Sequence, residues 1–184
     1  MSNGIWAEVS HAFGEEHVAA AVHAARLSLP KPSDLVAVIG DGPHALATVA
    51  LMLARGVGMI LMFSQQASTS AVRAGVRVHS LPATAQELDE IRGMAGGYGP
   101  DLAFECTGTS EARRLAIELV RPAGLVVLVV DDGKPTSMSP NLLVFGDKRV
   151  LGSRAFTDQD LRIARGLIAG QVGLATTEIR KTDA

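Results

Sequence analysis

Short apolar runs rich in β-branched residues alternate with longer stretches of helical periodicity along the chain. The apolar runs occupy residues 35–39, 59–63, 76–79, 102–106, 125–130 and 149–151, and the helical stretches occupy 44–55, 66–74, 84–93, 110–120 and 157–168. This alternation is typical of βαβ units that build a parallel sheet with helices on both faces. The pattern therefore predicts an α/β fold with a doubly wound parallel six-stranded sheet, strand order 3-2-1-4-5-6.

The character of single segments refines this layout. Residues 125–130 are continuously apolar, which predicts a central strand buried on both faces, whereas 149–151 carries Arg149 and is expected at an edge. An extra helix with apolar positions from Val18 to Ala25 precedes the first strand and ends before Pro30. After Gly170 the chain becomes polar and is expected to fray.

The first strand leads directly into a glycine-rich turn. The sequence from Gly40 to Ala45 reads Gly-Asp-Gly-Pro-His-Ala, and a helix is predicted immediately afterwards. Strand, Gly-x-Gly-x-x-Gly/Ala and helix in this order form the fingerprint of a Rossmann dinucleotide-binding fold. Gly40 permits the tight turn, Gly42 lets the backbone approach a pyrophosphate, and Ala45 allows close packing of helix on strand. A tight turn that binds nothing remains the alternative.

The end of the second strand lacks the acidic residue that such sites place there to hold the ribose hydroxyls. The sequence from Phe63 reads Phe-Ser-Gln-Gln, and the first basic residue that follows is Arg73. Without the carboxylate, the usual bias towards NAD and the repulsion of a 2′-phosphate are lost. The sequence therefore favours NADP over NAD, with weakened or lost binding as a third possibility.

Several motifs in order resemble the medium-chain dehydrogenase/reductase family, the zinc-type alcohol, sorbitol and threonine dehydrogenases. The resemblance covers residues 12–175. The matching segments are Gly40-Asp41-Gly42-Pro43, the run from Gly99-Pro100-Asp101 to Glu105-Cys106-Thr107-Gly108, Arg121-Pro122-Ala123-Gly124-Leu125-Val126, Val150-Leu151-Gly152-Ser153 with Asp158, Asp160 and Leu161, and Glu16 with His23 in the leading helix. Together, pattern and resemblance predict three segments: an N-terminal helix and lead-in at 1–33, a dinucleotide-binding Rossmann domain at 34–173 and a polar tail at 174–184.

The resemblance also implies a set of cofactor contacts. They are Gly40, Gly42, Pro43, His44 and Ala45 for the pyrophosphate, Ser64 and Gln65 for the adenosine ribose, Thr107 and Gly108 for the adenine side, and Val129 and Ser153 for the nicotinamide amide. For His44 a solvated residue at the helix start is the alternative interpretation. The sequence departs from the family at Phe63, which stands for the usual acidic residue, and at 130–132, Val-Asp-Asp, where the fifth strand normally ends in glycine.

Catalytic residues are not expected in this chain. In the family a separate barrel-like (GroES-like) domain supplies most zinc ligands, the proton relay and the substrate pocket, and the sequence shows no counterpart of it. Glu16 alone matches a possible zinc-ligand position, and one carboxylate cannot hold zinc. His11, His17 and His23 do not share a helical face, so no metal site is predicted. Cys106 is expected to be a buried, inert thiol, and Glu105 receives no catalytic role.

Composition narrows the classes of partner. The chain has 184 residues, a formal net charge of −2 and one cysteine, which argues against nucleic acid, an anionic membrane and a disulfide framework. The N-terminal residues lack the pattern of an export signal, so a cytoplasmic protein is expected. A mean hydropathy of +0.24 indicates an exposed apolar face. We expect a homodimer paired through 141–144 and 148–152 at the sheet edge, as the resemblance also implies.

Three functions remain open from the sequence. The first is the NAD(P)-binding domain of a dehydrogenase-like oxidoreductase that needs a partner for hydride transfer. The second is a non-enzymatic Rossmann-fold binding or interaction module. The third is a half-enzyme whose catalytic domain is a separate polypeptide.

Overall fold

The computed structural model describes residues 14–65, 75–94 and 96–170. The elements are α1 (Glu15–Ser28), β1 (Leu35–Ile39), α2 (Pro43–Ala54), β2 (Met59–Ser64), β3 (Val76–Ser80), α3 (Ala85–Met94), β4 (Leu102–Glu105), α4 (Ser110–Leu119), β5 (Leu125–Leu128), α5 (Asn141–Val144), β6 (Arg149–Gly152) and α6 (Asp158–Ile168). The six strands form one parallel sheet in the order β3-β2-β1-β4-β5-β6, which confirms the predicted Rossmann topology.

Helices cover both faces of this sheet because alternate strand residues are apolar on both sides. One core cluster joins α1, α2 and α6 to Val36 and Val38 of β1. The other joins α3 and α4 to Ala37 and Ile39 of the same strand. All four of these β1 side chains are fully buried, so the central strand is held from both faces.

The leading helix α1 is a structural part of the domain. Seven of its residues are buried, and the acidic side chain of Asp160 on α6 binds both His23 and Arg26 of α1. Glu15 at the start of α1 forms an ion pair with Arg165 of α6. The two helices therefore run antiparallel.

Some predicted boundaries differ from the observed ones. β5 ends at Leu128 and not at residue 130, because the backbone nitrogens of Val129 and Ser153 make the last bonds of this part of the sheet and the chain then turns towards α4. β4 ends at Glu105, one residue earlier than predicted, and β2 reaches Ser64, one residue later. The short helix α5 was not predicted, and the predicted helix at 66–74 lies outside the described residues.

Among the helices at 14–65, 75–94 and 96–170, none combines the length and the apolar character that a bilayer span requires.

Candidate cofactor site at the carboxyl edge of the sheet

The glycine-rich turn joins β1 to α2 at the carboxyl edge of the sheet. Gly40 adopts φ +124°, and a β-carbon there would lie 3.1 Å from Cγ2 of Thr107. Its backbone nitrogen donates to the Phe63 carbonyl at 2.8 Å, which fixes the turn to β2. Only glycine satisfies both the backbone conformation and the close approach of the next loop.

The start of α2 has the features of an anion-binding helix terminus. Gly42 is the N-cap and provides no side-chain acceptor, and Pro43 occupies the first turn. A β-carbon at Gly42 would meet no atom within 4 Å, so the space in front of the helix start is open. The free backbone N–H groups and the positive end of the helix dipole face that space.

Because all six strands are parallel, the predicted cofactor residues gather at one edge. The structure places Gly40, Gly42, Pro43, His44 and Ala45 after β1, Ser64 and Gln65 at the end of β2, Thr107 and Gly108 after β4, Val129 after β5, and Ser153 after β6. β1 and β4 are the neighbours between which the strand order reverses, and this is where ligands of doubly wound sheets bind. The geometry fits an extended ligand laid along the carboxyl edge.

The end of β2 carries a carboxylate that the sequence of the strand does not supply. Oδ2 of Asp41, in the glycine-rich turn, accepts hydrogen bonds from Oγ of Ser64 at 2.8 Å and from the backbone nitrogen of Gln65 at 3.0 Å. Phe63 is fully buried, and its ring stacks on His79 with centroids 5.4 Å apart. The acidic group at this strand end therefore comes from the neighbouring turn. An Asp between the two glycines was the available sequence signal.

Glu105 shapes the loop that follows β4. The side chain is fully buried, and its Oε1 accepts from the backbone nitrogens of Thr107 and Gly108 at 2.6 and 2.9 Å and from the Thr107 hydroxyl at 2.7 Å. Nε of Arg113 lies 3.9 Å from Oε2. These contacts give Glu105 a structural role in shaping the loop after β4.

Arg113 holds the loop that follows β5. Its Nη2 lies 2.7 Å from Oδ1 of Asp131 and 3.4 Å from Oδ1 of Asp132, and its Nη1 donates to Thr136 at 2.7 Å. A β-carbon at Gly108 would lie 3.0 Å from the backbone nitrogen of Asp132, so the loops after β4 and β5 touch. The two aspartates that depart from the family pattern are therefore paired with a buried guanidinium.

The two residues predicted near the nicotinamide lie side by side on the sheet. The Val129 nitrogen donates to the Glu105 carbonyl at 2.9 Å, and the Ser153 nitrogen donates to the Leu128 carbonyl at 2.8 Å. Oγ of Ser153 is buried and has no hydrogen-bond partner among the described residues. A buried hydroxyl without a hydrogen-bond partner destabilises the folded state, so this hydroxyl is suited to bond a polar ligand group such as an amide.

His44 lies at the start of α2 against α1. Its ring meets that of His17 edge to face, with centroids 4.7 Å apart. Burial, together with the nearby His17, lowers the pKa of His44. His44 is partly buried.

The remaining candidates for chemistry are either exposed to solvent or held in structural contacts. Glu16 is exposed at the start of α1, and His23 binds Asp160. Cys106 is buried, and burial, with the nearby Glu105 charge, raises the pKa of its thiol well above the usual range. Within residues 14–65, 75–94 and 96–170, no three His, Cys, Asp or Glu side chains lie close enough to hold a metal ion.

Comparison with known proteins identifies the family. The sequence model of the zinc-binding dehydrogenases matches residues 45–169, from the glycine-rich turn to the end of α6. The chain belongs to this family. The matched segment includes the ends of β2, β4, β5 and β6 at the carboxyl edge of the sheet.

Curated relatives of this zinc-binding dehydrogenase chain include two (R,R)-butanediol dehydrogenases. The chain is 27% identical to the (R,R)-butanediol dehydrogenase of Neisseria gonorrhoeae, over 83% of this chain and 44% of that protein. It is 32% identical to the (R,R)-butanediol dehydrogenase of Bacillus subtilis, over 78% of this chain and 42% of that protein. The chain thus spans less than half the length of these relatives.

Solved structures agree with the family assignment. The 2R,3R-butanediol dehydrogenase of Bacillus subtilis superimposes with a TM-score of 0.73 and 27% identity, covering 89% of this chain and 47% of that one. A protein of Sinorhizobium meliloti described as a zinc-binding dehydrogenase, with NADP bound, superimposes with a TM-score of 0.72 and 26% identity, covering 86% of this chain and 48% of that one. The similarity supports the cofactor-binding half of a dehydrogenase.

Proposed function

We propose that this chain binds a nicotinamide dinucleotide along the carboxyl edge of its sheet and supplies the cofactor half of an oxidoreductase. The observation that carries the proposal is the open, uncapped start of α2 behind Gly40 and Gly42, in a chain of the zinc-binding dehydrogenase family. The orphaned hydroxyl of Ser153 at the other end of the edge supports the same assignment.

Each predicted contact has a role in this proposal. The turn from Gly40 to Ala45 would hold the pyrophosphate, with the backbone of α2 as the donor. Ser64 and Gln65 would face the adenosine ribose, and Thr107 and Gly108 the adenine. Val129 and Ser153 would orient the nicotinamide amide. The bound dinucleotide would supply hydride chemistry, and the chain would supply its position.

Turnover requires groups that the described residues of this site do not offer. Substrate binding and a proton route would come from a catalytic domain, on the same or on a separate polypeptide. The structural contacts of Glu105, the burial of Cys106 and the exposure of Glu16 to solvent favour this division. We therefore expect no alcohol oxidation by this chain alone.

Calorimetric titration with NADH and NADPH in parallel, at matched salt, tests the binding. We expect micromolar affinity for at least one of them. Gly42→Asp is the decisive variant: its φ of −77° suits any residue, and an N-cap aspartate stabilises a helix, but the new carboxylate would occupy the open space. Binding should be lost while the melting temperature is kept or raised.

Gln86→Asp is the matched control because it adds one negative charge in the exposed first turn of α3. It should leave binding unchanged. If wild type fails to bind either dinucleotide at millimolar concentration, the non-enzymatic interaction module takes the place of this proposal.

The proposal includes a homodimer formed at the β6 edge. β6 is an edge strand, with Leu151 37% exposed, and α5 and the residue after it leave Val144 67% and Phe145 85% exposed. An unpaired strand edge beside large apolar side chains favours pairing with a second copy. Light scattering at micromolar concentration should give the dimer mass, and Leu151→Asp should give the monomer; a wild-type monomer would contradict this part.

A further inference from the structure

The carboxylate of Asp41 marks the end of the cofactor site at which the two nicotinamide dinucleotides differ. We propose that Asp41, from inside the glycine-rich turn, replaces the missing acidic residue of β2 and makes the site select NAD over NADP. The proposal rests on the dinucleotide binding proposed above and names which form is taken.

The parallel register of β1 and β2 explains why a turn residue can reach this place. Ile39 lies opposite Phe63, so the residues that follow each strand emerge next to each other. The Gly40 nitrogen holds the Phe63 carbonyl at 2.8 Å. One residue further, Asp41 extends across the gap, and its Oδ2 lies 2.8 Å from Oγ of Ser64.

Two donors fix the direction of this carboxylate. The Ser64 hydroxyl and the Gln65 backbone nitrogen both donate to the same oxygen of Asp41. Ser64 is 2% exposed and Asp41 is half-buried, so their hydrogen bond is partly shielded from solvent. A carboxylate on a rigid backbone turn that is also held by a neighbouring strand keeps its charge in one place.

The chemistry of the two dinucleotides differs at the adenosine ribose. In doubly wound sheets an acidic residue at the end of the second strand accepts from the ribose 2′-hydroxyl of NAD. A 2′-phosphate in that position carries nearly two negative charges and is repelled by a carboxylate. Here β2 offers the buried ring of Phe63 and the Ser64 hydroxyl, and the negative charge comes from Asp41.

The two segments that meet here carry no basic side chain of their own. Residues 40–45 and 61–65 contain neither Lys nor Arg. The sequence of β2 alone favours NADP because it lacks an acid, whereas the position of Asp41 favours NAD. The contact between turn and strand therefore reverses the preference expected from the strand.

Calorimetric titration of NADH and NADPH into wild type, Asp41→Asn and Asp89→Asn tests the proposal. Asparagine keeps an oxygen that can accept from Ser64 and Gln65, so the turn is expected to survive, which the melting temperature checks. Asp89 is an exposed carboxylate of α3, and its replacement removes the same charge elsewhere.

Wild type should bind NADH roughly tenfold or more tightly than NADPH. Asp41→Asn should reduce that ratio by a similar factor, mainly through tighter NADPH binding, and Asp89→Asn should leave it unchanged. Ser64→Ala keeps the charge and should retain most of the NADH preference.

Equal or tighter binding of NADPH by wild type would overturn the proposal, as would an unchanged ratio in Asp41→Asn. An equally large loss of the NADH-to-NADPH affinity ratio in Ser64→Ala would also overturn the proposal. In that case the residue at the end of β2, and not the charge of Asp41, would determine the cofactor preference. In all three cases dinucleotide binding itself survives. Failure of wild type to bind either form would overturn the proposed function and this selectivity with it.

Discussion

Replacing Asp160 with alanine is expected to separate α1 from α6 and to lower the free energy of unfolding by about 4 kcal/mol. The side chain is fully buried. Its oxygens accept from Nη1 of Arg26 at 2.6 Å and Nδ1 of His23 at 2.9 Å, both on α1, and from the nitrogen and hydroxyl of Thr157 at 2.8 and 2.7 Å.

The magnitude follows from what each partner loses. Removing one member of a buried ion pair costs about 3–5 kcal/mol because the other charge stays behind. Arg26 is 13% exposed and can regain some water, which places this loss at about 3 kcal/mol. Loss of the capping box with Thr157 adds about 1 kcal/mol. Asp160→Asn keeps the shape and loses only the charge, so about 2 kcal/mol is expected.

Urea unfolding followed by circular dichroism measures these differences. Asp158→Asn, an exposed carboxylate in the first turn of the same helix, is the control and should change stability by less than about 0.5 kcal/mol. A loss below about 1 kcal/mol in Asp160→Ala, or an equal loss in the control, would refute the reasoning.

The pH dependence provides a second measurement of the same contact. Burial works to raise the pKa of Asp160, but the hydrogen bonds from Arg26, Thr157 and His23 outweigh it, and the pKa is lowered. The stabilisation is therefore fully present above the unfolded pKa of about 4 and is lost as pH falls through the folded one. The difference between wild type and Asp160→Asn should narrow below about pH 4.

Three further outcomes are expected. In urea unfolding, Gly99→Ala should lower the free energy of unfolding by at least about 3 kcal/mol, because at φ +96° its β-carbon would collide with the Leu119 carbonyl. The control Gly56→Ala has φ +77° but open space around the new β-carbon, so it should lose only about 1 kcal/mol. Cys106 should not react with a thiol reagent at pH 8 in the native state and should react fully in urea, since burial raises its pKa; native reactivity would contradict this. Hydrogen bonds from the backbone and side chains around the start of α3 lower the pKa of Glu87 to about 2. The stabilisation of the folded state by the ionised Glu87 side chain is therefore present above pH 4.5 and is lost towards pH 2. The melting temperature should fall over that range more in wild type than in Glu87→Gln.

The layout of the sheet could be predicted from sequence because it depends on local patterns. The apolar runs gave all six strands within two residues, and the glycine-rich turn located the switch between β1 and β4. The end of β5 was predicted too late because Val129 and residue 130 are apolar although the strand has already ended at Leu128. They lead into a loop held by Arg113.

The long-range polar contacts of the site could not be read from the sequence. Arg113 lies in an amphipathic helix, where a charged residue is ordinarily exposed, yet it is buried between Glu105 of β4 and the loop that follows β5. The contact between Asp41 and Ser64 spans 23 residues and depends on the register of two strands. Patterns of hydrophobicity contain no information about such pairs, since both partners are polar and both sit outside regular elements or at their ends.

The antiparallel pairing of α1 with α6 has a consequence for the order in which the domain matures during synthesis. Glu15 and Arg165 are separated by 150 residues, so the leading helix leaves the ribosome long before its last partner exists. Until then α1 can pack on α2 but keeps part of its apolar surface, including the side chains that later face α6, open to water. A nascent chain that stalls before α6 would thus expose the apolar face of α1 to water, which is the kind of surface that chaperones bind.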